Sequence, residues 1–141
     1  MTDARPHKTP GPDHPITLER SLLHVVVRSG SVVIAESDRA LELREASYPP
    51  VLYIPLEDVD QSHLQRSEHH TWCPYKGEAS YYDVAGGDVD GDGTDLTAAV
   101  WYYDDPFAAV AEIKGRVAFY TDRVTVTTTP ERIHRTIDKA V

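Results

Sequence analysis

The sequence predicts a mainly β domain, small and antiparallel or barrel-like, with one or two short helices. Three observations lead there. Eight or so short runs rich in β-branched and aromatic residues are separated by turn residues. Leu41-Glu42-Leu43-Arg44-Glu45 alternates apolar and charged, the period of a half-buried strand. No internal repeat recurs at a solenoid period. The 141 residues allow one domain. Its expected limits are 16–128, between a Pro-rich disordered tail over 1–15 and a short C-terminal helix or tail over 129–141.

Pro6, Pro10, Pro12 and Pro15 fix φ and remove backbone donors, so residues 1–15 read as extended and mobile. Structure begins near Leu18. Residues 22–27 read as a strand, Ser29-Gly30 as a tight turn, and 32–35 as the returning strand. Residues 41–45 follow, Pro49-Pro50 breaks the chain, and 51–54 resume it. Pro55 suits a first helical turn, and Glu57 and Asp58 suit the positive end of a helix dipole, so 56–64 predicts one or two helical turns. Residues 71–73 form a further strand, ended by Pro74. Residues 79–84 and 96–103 predict a long hairpin around a polar tip at 86–95. Asp105-Pro106 has the form of an N-cap before a first-turn proline. Phe107, Val110, Ala111 and Ile113 continue at helical spacing as far as Gly115. Residues 116–120 and 124–127 predict a last hairpin with both apolar pairs on one face. Thr129-Pro130-Glu131 would cap a terminal helix whose Ile133 and Ile137 seal against the sheet.

Composition narrows the function. Hydrophobic residues make up 40% and charged residues 26%, the balance of a soluble globular domain rather than a disordered chain. One cysteine excludes an internal disulfide and a Cys-rich zinc site. No apolar run approaches membrane-spanning length, and the N-terminus lacks a signal-peptide core, so the expected location is cytoplasmic. The net charge of −9 belongs to one segment: between residues 77 and 112 there are nine acids and no Lys or Arg. Such a field repels phosphate, so neither nucleic acid nor an anionic membrane is an expected partner.

Aromatic residues cluster between Trp72 and Tyr103. Alternation puts Tyr81 opposite in facing to Tyr82, and Trp101 opposite to Tyr102. One face then packs the core, and the other either pairs ring on ring or meets a ligand. Cys73 with Lys76 three residues on could be an activated thiol, with His69 or His70 as base; the plain alternative is a small buried hydrophobe. These histidines and Cys73 are too few for a structural zinc site, so no metal or cofactor is expected. Asp88, Asp90 and Asp92 with Gly93 resemble the opening of a calcium loop, but the twelfth position is Ala99, so a solvated tip is expected. Arg39 offers a planar fork for a carboxylate or phosphate, or a surface ion pair with Glu42 or Glu45. Nucleophile-elbow, phosphate-loop and dinucleotide motifs are absent from the sequence.

Five blocks together resemble domain of unknown function family 427. They are Ala35-Glu36-Ser37-Asp38-Arg39-Ala40, Tyr53-Ile54-Pro55-Leu56-Glu57-Asp58-Val59, Thr71-Trp72-Cys73-Pro74-Tyr75-Lys76-Gly77, Trp101-Tyr102-Tyr103 and Val117-Ala118-Phe119-Tyr120. The resemblance spans roughly residues 16–127. It implies a compact antiparallel fold similar to the β-tent group, whose relatives include zinc-bound domains, a methionine sulfoxide reductase and an aromatic-cage binder. This chain lacks their paired Cys knuckles. It also lacks the Gly-Ser pair and spaced aspartates behind the nucleotidyltransferase-like label sometimes given to the family. By position, the resemblance implies Arg39, Tyr53, Asp58, Cys73, Lys76, Tyr81, Trp101 and Tyr103 as lining any shared pocket.

Three readings follow. The first is a module binding a small, anionic molecule, with Tyr53, Tyr81, Trp101 and Tyr103 as walls and Arg39 and Lys76 fixing the charge. The second is an enzyme with Cys73 as nucleophile or redox centre, Lys76 lowering its pKa and Asp58 or a histidine moving protons. The third is a homodimeric interaction module joined through a sheet edge or aromatic face.

Overall fold

Among the described residues, short β-branched runs broken by Gly and Pro fold into ten strands. The computed structural model of the chain describes residues 5–84 and 96–130. In chain order the strands are β1 (Ile16–Arg20), β2 (Leu23–Ser29), β3 (Val32–Ser37), β4 (Leu41–Glu45), β5 (Val51–Pro55), β6 (Leu64–Cys73), β7 (Gly77–Val84), β8 (Leu96–Tyr102), β9 (Arg116–Phe119) and β10 (Thr125–Pro130). They form two antiparallel sheets, a seven-stranded one in the order β1-β4-β5-β9-β8-β7-β6 and a three-stranded one in the order β10-β2-β3. The larger sheet ends at β1 and β6, so among the described residues the barrel-like alternative does not close. None of the described helices is long and apolar enough to cross a membrane.

Alternation along the central strands gives the larger sheet two different faces. Ile54, Val100, Val117 and Phe119 point toward the small sheet and pack with its Val25, Val27, Ile34 and Ala35. Tyr53, Trp101 and Ala118, each one residue out of phase, point to the other face with Leu43, Tyr81 and Tyr103. Tyr81 and Tyr82 divide in the same way, as do Trp101 and Tyr102. The tyrosine face is closed by the segment between β8 and β9, whose buried residues are Val110 and Ile113.

That segment is a 3-10 helix over Ala108–Ile113 rather than the regular helix expected from Asp105-Pro106. Its N-cap is Phe107, with no side-chain cap, and Val110 breaks the helical φ/ψ. Six residues are too few for an α-helix to hold itself, so anchoring Val110 and Ile113 decides the local backbone. The helical turns expected over 56–64 occur as two 3-10 helices, Leu56–Asp58 and Gln61–His63.

The expected last hairpin is not formed. β9 pairs with β5 and β8, while β10 pairs with β2 in the other sheet. A turn carries the chain across, held by Arg123 N and Val124 N donating to Tyr120 O at 3.0 and 3.2 Å. The two apolar pairs therefore face one another across the core instead of sharing one face. Thr129 and Pro130, expected to cap a helix, instead continue β10 opposite His24 and Leu23. The acidic tip at Asp88–Asp92, the terminal helix and its Ile133 and Ile137 lie outside the described residues.

Candidate functional site

The site is built on the tyrosine face. A cavity of about 270 Å³ is walled there by Tyr53, Tyr81, Trp101 and Tyr103, with Lys76 and Glu45 among its lining. Neighbouring strands bring the rings together. Tyr81 stands opposite Trp101 across the β7–β8 pair, and Trp101 stands opposite Ala118 on β9. Trp101 Nε1 donates to Tyr53 OH at 3.2 Å, with the rings edge to face. The Tyr81 hydroxyl pairs with Thr71 Oγ1 at 2.8 Å.

Lys76 is delivered by the tight turn between β6 and β7, closed by Lys76 N donating to Cys73 O at 3.2 Å. Gly77 follows at φ +110, a conformation that L side chains rarely adopt, and a Cβ there would meet Asp105 O at 3.4 Å. Lys76 Nζ donates to Glu45 Oε1, and both side chains are nearly enclosed, 10% and 13% exposed. The second Glu45 oxygen is held by His14 Nε2 at 2.7 Å, and the His14 ring stacks on Tyr75 at 3.9 Å. Burial pushes the Glu45 carboxyl up, but hydrogen bonds from Lys76 and His14 outweigh it and leave it below its ordinary value.

Burial raises the Tyr53 and Tyr103 hydroxyls well above their usual range, and pushes Tyr120 at the cavity wall up to about 12. Tyr103 is only 5% exposed, and its hydroxyl has no hydrogen-bond partner among the described residues. Most buried hydroxyls are satisfied, so one without a partner among the described residues stands out in a residue that lines the cavity.

Tyr53, Lys76, Tyr81, Trp101 and Tyr103 of the expected ligand-binding set thus meet around one cavity. Arg39 is elsewhere. Its guanidinium pairs with Asp58 at 2.9 Å and Glu57 at 3.3 Å, not with Glu42 or Glu45. Glu42 instead pairs with Arg44. Asp58 also accepts from Ser37 Oγ at 2.6 Å, so the residues expected as anion clamp and proton carrier of one pocket are instead paired with each other. Cys73 packs half-buried beside the tyrosine cluster, and the neighbouring Lys76 ammonium is committed to Glu45. His70 contacts Ser80 Oγ at 3.2 Å and the His69 ring lies against Tyr81. No group of three or more metal-ligating side chains gathers among the described residues.

Glu45 and His14 are the residues of the candidate site that sequence reasoning missed. Glu45 could have been found: in a strand with Leu41 and Leu43 facing inward, the third inward position is a carboxylate. His14 had no such signal. It arrives with an N-terminal segment read as a mobile tail. That segment makes specific contacts: Lys8 N donates to Pro74 O at 2.7 Å, Trp72 Nε1 to Pro6 O at 2.8 Å, and His7 stacks on Phe107 at 3.7 Å.

A family model described as Domain of unknown function (DUF427), NTP_transf_9, matches residues 17–130. A comparison with curated proteins finds no match.

Proposed function

The chain belongs to the DUF427 family of domains of unknown function, and we propose that its tyrosine-lined cavity binds a small molecule. The observation that carries this reading is the enclosed Lys76–Glu45 pair beside an orphaned Tyr103 hydroxyl on one cavity wall. Burying both charges costs several kcal/mol per ion before their attraction is counted. Apolar side chains of similar size would fill such a place at no such cost. Polar groups held around an open volume are instead the usual make-up of a ligand pocket.

Binding needs neither Arg39 nor an anion clamp, because Arg39 is engaged at Asp58 and Lys76 at Glu45. Recognition then falls to hydroxyl donors and aromatic walls. Native mass spectrometry of the protein from its own cells should retain a bound small molecule, and Tyr103→Phe should lower that occupancy several-fold while the fold persists. Equal occupancy in wild type and variant, or a bare mass in both, sinks the proposal.

A further inference from the structure

A second cavity, of about 370 Å³, lies between the two sheets. Val27 and Val126 of the small sheet and Leu52, Ile54 and Phe119 of the large one supply much of its lining, which is mostly apolar. It is not a separate feature. Tyr48, Pro49, Val51, Trp101 and Tyr120 line both cavities. Trp101 and Tyr120 lie ring against ring at 4.5 Å where the two volumes meet. At the rim, Tyr48 leaves 63% of its surface exposed, so an aromatic ring stands over both volumes.

The two chambers differ in chemistry. One holds a buried donor with no partner and an ion pair that is already neutral in sum. The other is mostly apolar, with the exposed Thr121 and Asp122 also on its lining. An anion would meet Asp122 and gain no free cation inside, because Lys76 is taken. Neither chamber gives an ion a buried counter-charge to itself: Lys76 and Glu45 hold each other, and Asp122 is solvent-exposed, so the desolvation of an ion is not repaid. A carbonyl or similar neutral oxygen, by contrast, satisfies Tyr103. Together the two volumes fall within the ~300–1,000 Å³ typical of small-molecule sites.

We infer that the ligand is an uncharged amphiphile, with an aryl or short alkyl body in the inter-sheet cleft and a neutral acceptor oxygen against Tyr103. This rests on the small-molecule reading above and adds the ligand class and the second chamber. It replaces the anionic ligand expected from sequence.

The chain has two tryptophans, and Trp72 lies outside both linings, so a Trp72→Phe background makes Trp101 the reporter. Four probes are titrated against its fluorescence: N-benzylacetamide, phenylacetate, benzylamine and acetamide. N-benzylacetamide should saturate at a concentration at least about tenfold below the other three. Val126→Phe, which narrows the cleft without adding a second tryptophan, should weaken N-benzylacetamide about tenfold and leave acetamide unchanged. Tyr103→Phe should weaken both amides severalfold. Phenylacetate or benzylamine binding as tightly as the neutral amide overturns the ligand class. An unchanged N-benzylacetamide affinity in Val126→Phe overturns the role of the cleft. In each of those results the tyrosine chamber still binds, so the broader reading survives. Silence from all four probes at about 10 mM, far above the useful range for such fragments, sinks both.

Discussion

Lys76–Glu45 and Arg39–Asp58 are both cation–carboxylate pairs, and both draw on residues singled out from the sequence. Their surroundings differ. Lys76 and Glu45 are 10% and 13% exposed, whereas Arg39 is 53% exposed and Asp58 19%. In water an ion pair competes with hydration and salt and adds little. Enclosed, each charge depends on its partner, and losing one strands the other. The difference teaches that the same chemical pair can be a surface ornament of the fold or a condition of it. Burial, not residue type, decides which.

The largest effect should come from breaking the enclosed pair on one side only. Lys76→Met strands Glu45 with His14 as its sole partner, and should destabilise the fold by about 3–5 kcal/mol in urea unfolding. Adding Glu45→Leu should restore most of that loss, because two apolar residues leave no unpaired charge. A single variant as stable as wild type would erase the contrast between the pairs.

Acid should reveal the same pair more gently. Glu45 titrates below its ordinary value in the fold. Its contribution is therefore complete above the titration of an unfolded glutamate, and is lost as pH falls through the folded value. Unfolding midpoints followed from pH 7 downward should drop less steeply in Glu45→Gln than in wild type. Parallel curves would mean that the acid limb belongs to other carboxylates.

The smallest effect should be that of Arg39→Met. The thermal midpoint should stay within experimental scatter of wild type, and added salt should change neither protein's midpoint differently. A clear loss would mean that Arg39 does more than meet Asp58 and Glu57 at the surface.

The walls of the cavity were legible because strands obey a period of two. Tyr53, Tyr81, Trp101 and Tyr103 sort to one face by alternation alone, once their strands are recognised. The floor was not legible. Glu45 meets Lys76 and His14 across 31 residues in each direction, and no local pattern encodes a pairing at that range. Arg39 and Asp58 lie 19 apart and were assigned to different roles for the same reason. The crossing of β9 and β10 into different sheets was hidden because a hairpin and a sheet switch both need a turn between two apolar runs. The five residues from Tyr120 to Val124 serve either.

Pro49 lines both cavities and Pro50 the larger one, on the strand-to-strand connection that forms their shared rim. Adjacent prolines have fixed φ, so this doorway has little backbone freedom to swing. A visiting molecule then passes Tyr48 by diffusion, without waiting for a gate. Association should follow a single exponential whose rate rises linearly with concentration and shows no plateau. Ligands would be told apart by how long they stay rather than by how fast they arrive.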